Sequence, residues 1–324
     1  MLVAPLILLL ITFDSLFLWN VSLPWEITRW MVTVLFVGAI IAAIVLIRSR
    51  SKAIMLVCFL ILAVLLWYHL LPPSNDRHWR PEVARVARVE FNGDIVTIEN
   101  VRNFHYRTKD DFDEIWETRT YDLSYLETVD TYFCYWGPSN IAHTMLTFGF
   151  NDDTQICLSA EVRKEVGEEY SPIASFVKKF ELIYIVGDER DLVAMRTNHR
   201  KEDVYLFPSK LPPEKVRALL ADILARVNSL ADAPVFYGTI NDNCTTSLVG
   251  HINKVRDEPI RFSLELLLNG HIPEMAWRRG NLGDHDISFD IVKRHYAISE
   301  RAQAYGDGPE YSQRIRQDLG LEGD

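Results

Sequence analysis

Hydrophobic positions along this chain change their rhythm near residue 71. Before it they form long runs: Trp30 to Ile47 and Ala53 to Leu71 contain no Asp, Glu, Lys or Arg. Each is close to the ~20 residues that cross a ~30 Å hydrocarbon core as helix. Leu2 to Trp19 is a third run, interrupted by Pro5 and by Asp14, whose charge is costly at a bilayer centre and cheaper toward an end. A cleaved signal peptide is the competing reading of this first run. No basic stretch precedes it, however, and no small-x-small cleavage site lies before the second run. Three spans are therefore expected, over residues 2–19, 30–47 and 53–71. Arg48-Ser49-Arg50-Ser51-Lys52 joins the last two and, by the positive-inside rule, stays in the cytoplasm. The third helix then delivers everything after Leu71 to the outer side, which in a bacterial inner membrane is the periplasm.

Pro72-Pro73-Ser74-Asn75-Asp76-Arg77 ends the last run, and residues 72–82 read as a linker. Trp67, Tyr68 and Trp79 suit an interfacial belt. From residue 83 to 324 the rhythm has period two. Val86, Val89 and Phe91 lead through Asn92-Gly93 into Ile95-Val96-Thr97-Ile98, a strong hairpin signal. Phe104 to Thr108, Thr131 to Trp136, Ile141 to Phe150, Gln155 to Val162, Leu182 to Val186 and Val204 to Phe207 also read as short strands. Helical spacing is confined to Pro212 to Leu230, Cys244 to Val255 and a tail after Pro259. The expected class is α+β, an antiparallel sheet with helices packed on one side.

Charge narrows the function. The chain carries a net charge of −10, and the residues after Leu71 hold 30 basic and 42 acidic side chains, a net −12. A sequence-independent nucleic-acid binder needs a basic surface to displace counterions, so that class is set aside. Oligomeric state is not legible.

Candidate chemistry rests on one of four cysteines. Cys58 lies inside an expected span, and Cys134 and Cys157 fall inside expected strands, where a mutual disulfide is compatible with an oxidising compartment if geometry allows it. Cys244 instead opens a helix after Asn241-Asp242-Asn243. Unpaired N–H groups and the positive end of the helix dipole favour a thiolate there. The alternative is an Asn or Asp cap followed by a small buried residue. A thiol nucleophile needs a base, and of nine histidines His143 stands apart, on a strand whose core face is Leu146, Phe148 and Phe150. Matching the apolar faces of this strand and the next pairs even residues with even. A three-residue Asn151-Asp152-Asp153 loop then sets His143 opposite Glu161, and a five-residue loop sets it opposite Arg163. A carboxylate beside an imidazole completes a nucleophile–base–orienter set; an ordinary surface His–Glu pair is the alternative.

A His strand followed about a hundred residues later by a Cys helix resembles the circularly permuted branch of the papain-like NlpC/P60 fold. More narrowly, several stretches are similar to the family of the Lnb-type lipoprotein N-acyltransferase N-terminal periplasmic domain. They are Pro73 to Arg77, Val101-Arg102-Asn103-Phe104, Trp116 to Leu123, Ile141-Ala142-His143-Thr144, Ser159 to Glu165, Asp188-Glu189-Arg190-Asp191, Arg196-Thr197-Asn198 and Asn243-Cys244-Thr245-Thr246.

The resemblance implies acyl transfer on lipid-modified substrates, lipoprotein or phospholipid, outside the inner membrane, through a Cys244–His143 dyad. Glu161 or Ser159 would orient the imidazole, and N–H groups at the helix start would stabilise the oxyanion. Arg163 and Arg196 are candidates for an anionic head group and equally for surface ion pairs. The three apolar runs depart from a plain exported N-terminus, so the substrate need not carry over. A cell-wall peptidase or amidase and a non-catalytic envelope scaffold remain alternatives. No cofactor is expected, since no cluster has metal-ligand spacing and no Gly-rich phosphate loop occurs.

Overall fold

The computed structural model describes every residue except 1, 2, 24, 138, 281, 283–285, 318 and 320–324. The chain forms two compact units. One comprises Met1–His78, Val162–Glu181 and Pro234–Thr239; the other comprises Trp79–Glu161, Leu182–Ala233 and Ile240–Asp324.

The first unit is built on α1 (Val3–Asn20), α2 (Glu26–Leu46) and α3 (Arg50–Leu70). Among the described residues, α2 and α3 are the helices long and apolar enough to cross a membrane; α1 carries a shorter apolar segment, Ala4–Asn20. The first expected span began at Leu2, which lies outside the described residues. Burial follows a stripe: Thr33, Phe36, Ile40 and Ala43 on α2, and Ala53, Val57, Ile61 and Val64 on α3. The remaining faces are equally apolar yet exposed, as at Leu35, Val45 and Leu62. A helix apolar all round matches a lipid environment better than a water-facing surface.

In the second unit, β1 (Arg88–Asn92) and β2 (Ile95–Arg102) form the expected hairpin. Asn92 still pairs with Ile95, so the two-residue loop is Gly93-Asp94, one position later than the Asn-Gly signal suggested. Gly93, at φ +65°, takes the first loop position, where a type II′ turn requires positive φ. Next come the short β3 (His105–Tyr106) and β4 (Phe112–Asp113), then β5 (Trp116–Asp122). β6 (Leu126–Tyr135), β7 (His143–Phe150), β8 (Gln155–Arg163) and β9 (Glu181–Gly187) follow. After a single turn, α4 (Glu189–Leu192), come β10 (Asp203–Pro208) and α5 (Pro213–Asp232). The main sheet runs β1-β2-β9-β8-β7-β6-β10, with β5 paired to β2.

Two expectations about this sheet need correction. It is mixed rather than wholly antiparallel, because β2 and β9 meet in parallel at Arg102 and Gly187. A Cβ on Gly187 would lie 2.8 Å from the Arg102 carbonyl oxygen, so glycine permits that approach. Helices also cover both faces rather than one, since β7 is buried at every position. On one side Tyr132, Cys134, Met145, Cys157 and Val204 form a core with Ile298, Ala302, Tyr311 and Ile315 of the tail. On the other, α5 packs on β6 and on α6 (Cys244–Val255), and α6 packs on β7. The tail continues as α7 (Leu264–Leu267), α8 (Ile272–Arg278), α9 (Phe289–His295), α10 (Ser299–Tyr305) and α11 (Tyr311–Arg316).

Several stretches that carried the resemblance meet in one polar network. Arg102 forks onto Asp191, Nε to Oδ2 at 2.9 Å and Nη2 to Oδ1 at 2.7 Å, and Asp191 also accepts from the Phe104 amide at 2.8 Å. Asn103 donates to Glu117 at 2.9 Å and accepts from Arg190 at 3.1 Å. Arg119 donates to Glu117 and Asp188. Residues distant in sequence thus tie β2, β5 and the turn after β9 together.

Candidate active site

The candidate dyad is assembled from a strand start and a helix start. α6 begins where Asn243 accepts from the amides of Thr245 (2.9 Å) and Thr246 (2.8 Å), while Thr246 Oγ1 accepts from the Asn243 amide at 3.1 Å. This reciprocal capping box fixes Cys244 as the first helical residue. It also commits the Thr245 and Thr246 amides, so the oxyanion role expected of the helix start is not theirs.

His143 begins β7, and the β7–β8 register decides what stands behind it. Met145 pairs with Ser159 and Phe148 with Ile156, the register of a three-residue loop. Phe150 N donates to Thr154 O at 3.0 Å, and Asp153 takes φ +66°, the left-handed position of such a turn. His143 Nε2 consequently lies 2.7 Å from Ser159 Oγ and 3.0 Å from Glu161 Oε1. Ser159 Oγ in turn donates to Glu161 Oε1 at 2.7 Å. With Nε2 occupied, Nδ1 is the ring nitrogen left for the hydrogen bond that His143 makes with Cys244. Both residues are nearly buried, His143 at 7% and Cys244 at 8% exposure.

Electrostatics favour the charged pair. Burial alone, and Arg196, would lower the His143 pKa; Glu161 and the hydrogen bonds to Cys244 and Glu161 outweigh them and hold it up at about 9. For Cys244, burial opposes ionisation, but the His143 hydrogen bond and charge, the Thr144 amide and the Thr245 hydroxyl bring its pKa below the ordinary thiol value. Burial likewise opposes ionisation of Glu161, yet His143, Arg196 and Ser159 keep its carboxyl well below the usual carboxylate range. An imidazolium flanked by a thiolate and a carboxylate is the nucleophile–base–orienter arrangement.

The other candidates fall elsewhere. Arg196 sits in a π-type turn, Met195–His199, with Nη1 3.0 Å from Glu202 Oε2 and Nη2 3.4 Å from Glu161 Oε1. It is buried in the carboxylate network behind the imidazole rather than displayed as an open anion site. Arg163, also buried, donates to Asn75 Oδ1 at 2.7 Å. Cys134 and Cys157 are free thiols. Cys134 lies opposite His143 on β6, and Cys157 lies opposite Thr147 on β8. Two strand spacings, about 9–10 Å, and a four-residue offset along the strands separate them, since Cys157 is level with Asp130 of β6, beyond the Cα reach of a disulfide. Burial pushes both thiols up.

One contributor escaped the sequence reading. Asn269, between α7 and α8, accepts from the Ala142 amide at 2.8 Å, donates to the Ala142 carbonyl, and donates to Thr245 Oγ1 at 2.6 Å. Thr245 Oγ1 also meets Thr144 Oγ1 at 2.9 Å. Asn269 therefore pins the residue before His143 to the residue after Cys244. Gly270 follows because a Cβ there would meet the Ser139 carbonyl oxygen at 2.3 Å. The Asn-Gly pair announced only a turn; nothing local signalled its partner 127 residues away. Asn269→Ala should cost about 1–3 kcal/mol through the buried groups it strands. Thermal unfolding and turnover of the variant should fall together; unchanged values for both would mean the clamp does not hold the dyad.

A family model described as the Lnb N-terminal periplasmic domain matches residues 112–278, just over half of the chain. The chain belongs to this family. The matched stretch of the Lnb N-terminal periplasmic domain runs from β4 to the end of α8 and so contains His143, Ser159, Glu161, Cys244 and Asn269. The family is that of a periplasmic domain, and α2 and α3 near the N-terminus fit a membrane protein carrying one. No curated protein and no solved structure matches the chain.

Proposed function

We propose that this Lnb-type protein is a multi-pass, membrane-tethered thiol acyltransferase of the bacterial inner membrane, working on lipid-modified substrates in the periplasm. The carrying observation is the Cys244–His143 hydrogen bond at a capped helix start, backed by Ser159 and Glu161. A capped structural cysteine has no need of a buried imidazole whose far nitrogen is engaged by a hydroxyl and a carboxylate. The His-strand-before-Cys-helix order supports placing the site in a permuted papain-like, NlpC/P60-type arrangement, with the mixed sheet as its scaffold.

In the proposed reaction, thiolate Cys244 attacks the ester carbonyl of an acyl donor and forms the C–S bond. As the C–O bond breaks, the imidazolium gives its Nδ1 proton to the leaving alkoxide. An acceptor amine, or water, then attacks the thioester carbonyl, His143 takes the nucleophile's proton, and the thiolate leaves. Glu161 and Ser159 hold the ring through both halves.

A lipid substrate is favoured over a cell-wall peptide by what flanks the dyad. Trp136 and Ile141 precede His143, Ile240 precedes Cys244, and Phe262, Leu264 and Leu268 precede Asn269; all six are exposed. Apolar side chains left in water on the segments that lead into the dyad and its Asn269 clamp suit an acyl chain better than a polar glycopeptide. Incubating the detergent-solubilised full chain with phospholipid or diacylated lipopeptide should add one acyl mass to Cys244, removable by neutral hydroxylamine. No adduct with either donor, or peptide cleavage without acyl capture, would overturn the reading.

A further inference from the structure

Residues 173–179, in the first unit, form a short segment locked to one end of the helix bundle. The 3₁₀ turn Ala174–Val177 packs on α1, and Val177 is buried in the cluster containing Phe17, Leu18 and Val21. Lys178 Nζ donates to the Tyr68 carbonyl at the end of α3 (2.7 Å) and lies 4.6 Å from the centre of the Tyr68 ring. Lys179 Nζ reaches Ser22 Oγ just after α1 at 3.4 Å and pairs with Glu168. Phe17 touches both Trp67 and Tyr68 edge-on, so α1 and α3 end together, at the end to which both lysines reach.

The turn is two-sided. Ala174 and Val177 face inward, whereas Ile173 and Phe176 are 59% and 50% exposed. Trp19, Trp25 and Trp30, from the α1 end and the α2 start, are exposed as well, and Trp19 stacks on Trp30 at 5.7 Å. Tryptophans collect at the headgroup level of a bilayer, which places this end of the bundle at a lipid–water boundary. The lysine amines turn onto a carbonyl, a hydroxyl and a carboxylate of their own unit, leaving the outward side of the segment to Ile173 and Phe176.

We propose that residues 173–179 are a lipid-interface wedge, in which Ile173 and Phe176 insert into the headgroup–acyl boundary of the leaflet where α1 and α3 end. The occupant is lipid rather than a protein partner because the turn that carries the two side chains packs on α1 at its Phe17–Val21 end, the same end of the apolar helices that exposes Trp19, Trp25 and Trp30. Apolar groups at this depth gain by leaving water while their polar neighbours stay satisfied within the protein. The inference rests on the membrane-anchored reading above.

The test places the photo-crosslinker benzoylphenylalanine at Ile173, Phe176, Leu62 or Phe91 of the full chain, reconstituted in phosphatidylethanolamine–phosphatidylglycerol vesicles. Leu62 is an exposed position on α3, and Phe91 is an exposed apolar position on β1. Retained labelling of Cys244 at pH 6 reports folding of each variant. After irradiation, positions 173 and 176 should carry phospholipid mass at a yield near that of position 62, and position 91 should not. Lipid at 62 with water quenching or protein cross-links at 173 and 176 overturns the wedge. Lipid at none of them overturns the wedge together with the membrane reading, while thioester formation on Cys244, measured separately, is left standing.

Discussion

Cys244→Ser is expected to abolish acyl transfer, by a factor on the order of 10³ or more, with thermal unfolding unchanged. The smaller oxygen fits the same space and the Asn243–Thr246 capping box does not involve the side chain at 244, but an alkoxide is far harder to form than a thiolate. Alkylation of the wild type separates the cause. An ordinary thiol with pKa near ~8.5 is almost wholly protonated at pH 6, whereas Cys244, with its pKa lowered by His143, should label there. His143→Ala removes the cation, so labelling at pH 6 should slow sharply. The alkaline limb has the opposite logic. His143 keeps its proton up to about pH 9, and above that the proposed acid for the leaving alkoxide is lost. Acyl transfer should therefore fall above about pH 9 while alkylation does not. A Cys244 that labels no faster at pH 6 than an ordinary exposed thiol would be a capped structural residue.

Asp191→Ala is expected to be the most destabilising change outside the dyad. Asp191 is fully buried, takes two bonds from Arg102 and one from the Phe104 amide, and Arg102 itself is 6% exposed. Removing the carboxylate strands a buried guanidinium that cannot shed its proton, a loss of roughly 3–5 kcal/mol. For a domain of this size each kcal/mol moves the midpoint by ~2–4 °C, so denaturation should shift by on the order of 10 °C. The double variant Arg102→Met with Asp191→Leu should recover much of that, because it removes the unpaired charge as well as the pair. A single variant as stable as wild type would mean that the pair contributes nothing to the fold.

These two residues also mark where the sequence was and was not informative. Cys244 was legible because its signals are local: three polar capping residues, then apolar spacing of one helical face. The even-with-even pairing of β7 and β8 was legible because side chains alternate with period two, leaving only the loop length to separate Glu161 from Arg163 as the partner of His143. The apolar runs of α2 and α3 needed nothing beyond length and composition.

β5 was missed as a strand because Tyr121 is its one buried position, so its alternation is weak, and pairing with β2 supplies what propensity does not. The parallel contact between β2 and β9, the second helical layer on the sheet and the Arg102–Asp191 pair join residues far apart in the chain. No local pattern encodes such contacts. The same holds for Arg196, which read equally as an anionic head-group ligand or a surface ion-pair partner and is buried against Glu202 and Glu161, and for Asn269, whose Asn-Gly pair signals no more than a turn. Amide hydrogen-bonding and ion pairing leave no periodic trace in a sequence. The chain by itself therefore determined which atoms could do chemistry, and only the tertiary structure decided which buried polar groups hold those atoms in place, because that depends on close approach between segments that no spacing rule connects.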